Sequence, residues 1–196
     1  MARRFERTRR GISGRLDDEE RALLASLLLE VEDLLDDGRS PLVDPLEVLV
    51  ELSPGARTPS DPALARLLPD AARDDPDAAS EFRRLTEGGL RRRKREALSA
   101  ARHTLDRPGQ VLLDDAEAQA WLTALNDVRL VLATRLELRS DEDAEALLGR
   151  AAALPPEDPR AWTAAVYDFL TWLQETLVGA LAEQLQSRPP AGRSGG

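Results

Sequence analysis

The sequence predicts a mainly α protein, a multi-helix bundle with a small N-terminal β-hairpin joined by a short strand near residues 110–113. Three observations carry this. Apolar residues make up 42% of the 196, and Leu and Ala, both good helix formers, dominate them. Aromatics are only 4%, so the core is aliphatic packing between helices. Helix-start signals also recur along the chain. Asp-Pro stands at Asp44-Pro45, Asp61-Pro62, Asp75-Pro76 and Asp158-Pro159, where Asp can accept from free N–H groups and Pro fits the first helical turn. Asp17 with Glu20, Asp114 with Glu117 and Ser140 with Asp143 have the spacing of capping boxes.

The elements follow in order. Phe5 to Leu16 is extended, with Arg10-Gly11 as the hairpin turn. A helix over 17–36 places Leu24, Leu27, Leu28, Val31, Leu34 and Leu35 on one face. Short helices are expected over 45–52 and 62–68, separated by a loop at 53–60 that holds Pro54, Gly55 and Pro59. A long helical stretch runs over 76–106, interrupted or bent near Gly88-Gly89. Helices over 115–138, 141–152 and 159–186 complete the bundle, the last being the most apolar. Residues 1–186 are read as one helical domain, and 187–196, rich in Pro, Gly and Ser, as a disordered tail.

Composition narrows the chemistry. No cysteine is present, which removes disulfides, thiol nucleophiles and zinc–thiolate sites. His103 is the single histidine, so no histidine pair can hold a metal, and it reads as a surface side chain. Gly88-Gly89 is not followed by the Lys and Ser/Thr of a phosphate loop. No apolar run reaches membrane-spanning length, and no hydrophobic segment follows the basic N-terminus, so the expected location is the cytoplasm. No catalytic residue, metal or cofactor is assigned. Trp121, Trp162 and Trp172 read as core or interface anchors.

Charge is unevenly distributed. The chain carries −9, yet residues 83–107 hold nine basic and three acidic residues, centred on Arg91, Arg92, Arg93, Lys94 and Arg95 with Arg83 and Arg84 upstream. These seven are the candidate contacts for DNA phosphates or an acidic protein; the competing reading is a solvated face that neutralises nearby acids. The stretch from Ala78 to Leu105 can be scanned as a helix-turn-helix. Leu90, Ala97, Leu98, Ala101 and Leu105 form a stripe on which Arg93 or Lys94 falls, so one of these cations must snorkel or meet a carboxylate. A second basic patch, with six Arg and one Glu, lies in residues 1–16. Arg129 sits on the core stripe of its helix, while Asp168 and Glu175 lie seven apart on the last one. A structural ion pair is expected between Arg129 or Arg135 and one of these acids.

Three segments carry a family resemblance: Glu81-Phe-Arg-Arg-Leu-Thr-Glu87 with Leu90-Arg-Arg-Arg-Lys94; Gln119-Ala-Trp-Leu-Thr-Ala-Leu-Asn-Asp-Val-Arg-Leu130 continuing to Leu136; and Val166-Tyr-Asp-Phe-Leu-Thr-Trp-Leu-Gln-Glu-Thr-Leu177. They resemble the actinobacterial AosR family of oxidative-stress transcriptional regulators, also catalogued as a domain of unknown function. The resemblance implies a regulator that associates with a stress sigma factor, uses a disulfide switch and is linked to cysteine biosynthesis. With no cysteine here, no redox residue carries over. The expected function is therefore a non-enzymatic regulator that binds a sigma factor or RNA polymerase, with promoter DNA as a further partner and a homodimer through the last helix compatible with its apolar face. The alternative is a helical adaptor without DNA contact.

Overall fold

Each capping box legible in the sequence opens a helix. Asp17 accepts from the Glu20 N–H while the Glu20 carboxylate accepts from the Asp17 N–H, and this starts α1, Asp18–Leu35. The same reciprocal pair at Asp114 and Glu117 starts α4, Asp115–Arg135, and at Ser140 and Asp143 it starts α5, Asp141–Ala151. Asp61 accepts from the Ala63 and Leu64 N–H groups ahead of the short α2, Pro62–Leu67. The long α3, Pro76–Leu105, and the last helix α6, Pro159–Gln186, both begin on the Pro of an Asp-Pro pair. The computed structural model describes residues 2–36, 59–69, 76–155 and 157–186, without the side chains of 76–81, 83, 84, 141, 184 and 185. The expected helix over 45–52, most of the 53–60 loop and the tail at 187–196 lie outside the described residues.

Strands β1, Arg3–Thr8, β2, Gly11–Arg15, and β3, Val111–Leu113, form one antiparallel sheet in the order β1-β2-β3. The short third strand is thus where the sequence placed it. The turn falls one residue earlier than expected: Thr8 pairs with Gly11, so Arg9-Arg10 forms the bend and Gly11 begins β2. Gly11 has φ +128, and a Cβ there would collide with the Leu113 carbonyl oxygen, so only glycine lets β3 approach. Gly14 leaves room for the Phe5 ring, whose Cδ1 would lie 2.7 Å from an added Cβ. Phe5, Ile12, Val111 and Leu113 turn one sheet face into the core.

That face meets Trp121 of α4. The Phe5 and Trp121 rings meet edge to face with centroids 5.4 Å apart. The Trp121 indole N–H donates to Thr104 Oγ1 at 2.7 Å, and the Thr104 hydroxyl donates to the Ala101 carbonyl at 2.7 Å. α4 is the central helix, with Ala118, Trp121, Ala124, Leu125, Asp127 and Val128 buried around its circumference and α1, α2, α3 and α6 packed on it. α6 presents Val166, Leu170, Leu173, Leu177 and Ala180 to the core and runs beside β1, where the Phe5 N–H donates to Thr176 Oγ1 at 3.3 Å. Of the other two tryptophans, Trp172 is half-buried and stacked on Phe169, whereas Trp162 is 57% exposed and anchors no core.

Two expectations need correction. Gly88 and Gly89 do not break α3, which is helical from 76 to 105; the helix-turn-helix outline is therefore absent. Two glycines cost about 1 kcal/mol each in a helix interior, a penalty that the flanking Leu, Arg and Ala residues and the packing of Leu98, Ala101 and Leu105 outweigh. The helix expected over 115–138 ends at Arg135. Glu137 takes the left-handed conformation at φ 58, the Leu138 N–H donates to the Ala133 carbonyl and the Glu137 N–H to Thr134. This is the Schellman ending, made with Glu where Gly is usual, so no glycine marks it in the sequence.

Unfolding by urea tests both backbone positions. Glu137→Gly should raise stability by roughly 0.5–1 kcal/mol by relieving a left-handed non-glycine residue. Gly11→Ala should lower it by at least about 2 kcal/mol and loosen β3.

Candidate partner-binding surface

The basic run of α3 faces two ways. Arg91 is largely buried: its Nε and Nη2 donate to Glu87 Oε1 at 2.9 and 2.7 Å, and its Nη1 donates to the Leu35 carbonyl at the end of α1 at 3.1 Å. Arg95 lies 3.8 Å from Asp36, and Arg102 lies 3.3 Å from Glu32, both acids belonging to or following α1. Arg92 is exposed and lies 3.7 Å from Glu96 on its own helix. Arg93 is exposed with no partner among the described residues. The side chains of Arg83 and Arg84 are outside the description. The run is thus in large part the seam between α3 and its neighbours.

Lys94 is the cation that falls on the apolar stripe. Its ammonium donates to Asp127 Oδ1 at 2.6 Å, and Asp127 is fully buried in the central helix. Burial pushes the Asp127 carboxyl above its ordinary range, against the opposing pull of Lys94. Asp127 Oδ2 has no hydrogen-bond partner. A neutral or apolar pair would fill this space without the desolvation of two charges.

The expected pairing of Arg129 or Arg135 with Asp168 or Glu175 is replaced by other partners. Arg129 does cross from α4 to α6, but its Nη1 donates to the Gln174 amide oxygen at 2.7 Å and its guanidinium lies 5.5 Å from the centre of the Tyr167 ring. Arg135 turns to Asp61 at 2.6 Å. The guanidinium of Arg135, helped by two backbone N–H groups, holds the Asp61 carboxyl below its usual range. Asp168 and Glu175 do share one face, but each is two residues beyond a buried position, Val166 and Leu173, and so points to solvent. His103 is exposed, as expected, with Nδ1 2.7 Å from the Ser99 carbonyl oxygen.

The N-terminal patch is different in kind. Arg3, Arg7, Arg9, Arg10 and Arg15 are exposed, and none of their guanidinium groups has a partner among the described residues. Arg4 is exposed too but bound to Glu6 at 2.8 Å. A second surface feature escaped the sequence reading: an open apolar groove of about 690 Å³ between α5 and the start of α6, lined by Leu136, Leu147, Ala151, Leu154 and Pro159 and flanked by Arg150 and Arg160. Its walls come from three separate segments, so no local pattern announces it.

Among the described residues no group of three or more His, Cys, Asp or Glu side chains is placed to hold a metal, and no helix is long and apolar enough to cross a membrane. The fold and surface define a helical bundle, with a small sheet, whose external features are segregated charge and an apolar groove. The chain belongs to the family described as "Domain of unknown function (DUF2017)", which it matches over residues 2–181. It is 36% identical over 181 residues to the oxidative stress regulator AosR of Mycobacterium tuberculosis and to that of Mycobacterium bovis, covering 83% of this chain and 78% of each relative. It is 37% identical over 179 residues to the putative oxidative stress regulator AosR of Mycobacterium leprae, with the same coverage. No solved structure matches it.

The buried pair gives a double-mutant test. Lys94→Met strands the Asp127 carboxylate and should cost about 3–5 kcal/mol, while adding Asp127→Leu should restore most of that stability. Asp127 also has a pH signature. Because its folded pKa is raised, the unfolded chain loses the proton first as pH rises. The parent should therefore lose stability relative to Asp127→Asn as pH climbs from the ordinary carboxylate range through the raised folded value, a trend that chemical denaturation at several pH values would measure.

Proposed function

We propose that this protein is a non-enzymatic transcriptional regulator of the AosR type that works in the cytoplasm by binding a sigma factor or RNA polymerase. The observation that carries the reading is the extent of its likeness to proteins named oxidative stress regulators, 83% of this chain at 36% identity. The site geometry supports it: among the described residues, buried polar side chains such as Lys94 with Asp127 and Arg91 with Glu87 and the Leu35 carbonyl serve to join helices. Surfaces rather than a reactive cleft are then the working parts.

The thiol switch implied by the family resemblance has no sulfur to act on in these 196 residues, apart from the thioether of Met1. On this reading an oxidative signal is received by the partner. A second reading, an adaptor without DNA contact, is favoured by the groove between α5 and α6 and the exposed Trp162 close by in sequence, a combination suited to an amphipathic helix of a protein partner.

The test is capture by the immobilised chain of purified mycobacterial alternative sigma factors and core RNA polymerase. Retention of one of them at micromolar concentration, insensitive to nuclease and unchanged when this chain alone is treated with peroxide, is the expected result. If none is retained, the regulator reading fails.

A further inference from the structure

The α3 run is the densest string of cations in the sequence, yet among the described residues the hairpin holds the larger cluster of unpaired guanidinium groups. We propose that the β1–β2 hairpin is a docking ribbon for the phosphate backbone of duplex DNA, with Arg3, Arg7, Arg9, Arg10 and Arg15 as its contacts. The inference extends the regulator reading but rests on its own observations.

The first is availability. Arg91, Lys94, Arg95 and Arg102 of α3 are each committed to an acid or a helix end, whereas the guanidinium groups of these five hairpin arginines have no partner among the described residues. The second is an unfavourable local arrangement. Arg3 stands directly opposite Arg15 across the β1–β2 pair, and like charges in that register destabilise a sheet unless something between them is negative. The two-residue bend adds Arg9 beside Arg10, with Arg7 on the adjoining strand end. The third is rigidity. Phe5 lies over Gly14 and against Trp121, Ile12 is in the core, and Ser13 Oγ donates to Gln110 Oε1 at 3.0 Å, so the ribbon is held in place before any ligand arrives.

The distribution of side chains favours phosphate over an acidic protein. From the Arg3–Arg15 end to the bend the hairpin spans roughly 17–20 Å, the reach of several successive phosphates of one strand. A stable protein interface needs a desolvated apolar or aromatic centre, and the only large apolar side chain exposed on the sheet is Leu112 of β3. The hairpin exposes no aromatic ring on which unstacked bases could lie, which disfavours single strands. What remains is the chemistry of backbone contact: guanidinium groups along a ribbon narrow enough for a groove.

The experiment is fluorescence anisotropy of the full chain with a labelled duplex of arbitrary sequence, titrated at low salt. Five phosphate contacts should weaken binding roughly 500-fold between about 50 and 200 mM salt. The triple change Arg7→Gln, Arg9→Gln and Arg10→Gln should weaken binding at least about tenfold and make the salt slope shallower by roughly one for each phosphate no longer neutralised. The corresponding three lysine substitutions should retain the slope, and Arg92→Gln with Arg93→Gln on α3 should change it by less. All five hairpin positions are exposed, so thermal melting should find the variants folded. The proposal is overturned if the parent ignores duplex at low salt, if the glutamine variant binds as well as the parent, or if the hairpin arginines prove necessary for poly-glutamate and not for duplex. Sigma-factor capture with the parent chain separates the two readings: its failure removes the regulator reading alone, and absence of duplex binding removes this one alone.

Discussion

The structure depends on a reciprocal tie between α1 and α3. Arg21, at the start of α1, donates from Nη1 to the Leu105 carbonyl at 2.7 Å and to the Arg107 carbonyl at 3.3 Å, and from Nη2 to that of Gly109. Arg91 on α3 donates to the Leu35 carbonyl at the end of α1. Each arginine therefore satisfies carbonyls that its antiparallel neighbour's helix end leaves without partners, in a place where a cation also complements the helix dipole. The spacing matches: Arg21 to Leu35 and Arg91 to Leu105 are the same number of residues apart, so the two helices are clamped at both ends of one contact. Counted from its own arginine, each helix repeats one spacing, Leu24, Leu28, Val31 and Leu35 on α1 and Lys94, Leu98, Ala101 and Leu105 on α3, and in the antiparallel pair the two stripes run in opposite directions.

That correspondence explains the oddest member of the core. Lys94 occupies the stripe position that Leu24 fills on α1, and the cation brought inward there faces the central helix, where Asp127 meets it. Lys94, three residues beyond Arg91, lies about 60° round α3 from it, and its ammonium reaches Asp127 of α4 while Arg91 reaches the end of α1. The clamp also disposes of the helix-turn-helix outline. A turn at Gly88-Gly89 would separate Glu87 from Arg91, whose bidentate contact needs one unbroken helical turn between them.

Local features were legible in the sequence because they depend on a few consecutive residues. The capping boxes at Asp17, Asp114 and Ser140 lie within single turns, and each starts a helix where the spacing places it. That Arg93 or Lys94 falls on the α3 stripe and must snorkel or meet a carboxylate was legible too, while the choice of Lys94 came from the packing against α4. The choice of partner was not legible. Asp168 and Glu175 share a face by periodicity, but which face of α6 meets α4 is decided by the longer run of Val166, Leu170, Leu173 and Leu177, which leaves both acids outside and gives Arg129 to Gln174 and Tyr167. Arg135 reaches Asp61, which is far away in sequence and already occupied in capping α2. The end of α4 was hidden for a different reason, because its left-handed residue is a glutamate.

The same distinction governs the surface. Counting cations points to α3, since residues 83–107 contain nine of them, but a count does not separate charges that hold helices together from charges that face solvent. Once the α3 cations are assigned to Glu87, Asp36, Glu32, Asp127 and the end of α1, the hairpin is left holding the larger set of unassigned positive charge. On a chain of net charge −9 this polarity has an orienting effect: a polyanion is repelled by most approaches and attracted by one. The acidic remainder would then serve as much as the arginines in deciding how the molecule sits on a negatively charged partner, because it penalises every orientation in which the hairpin does not lead.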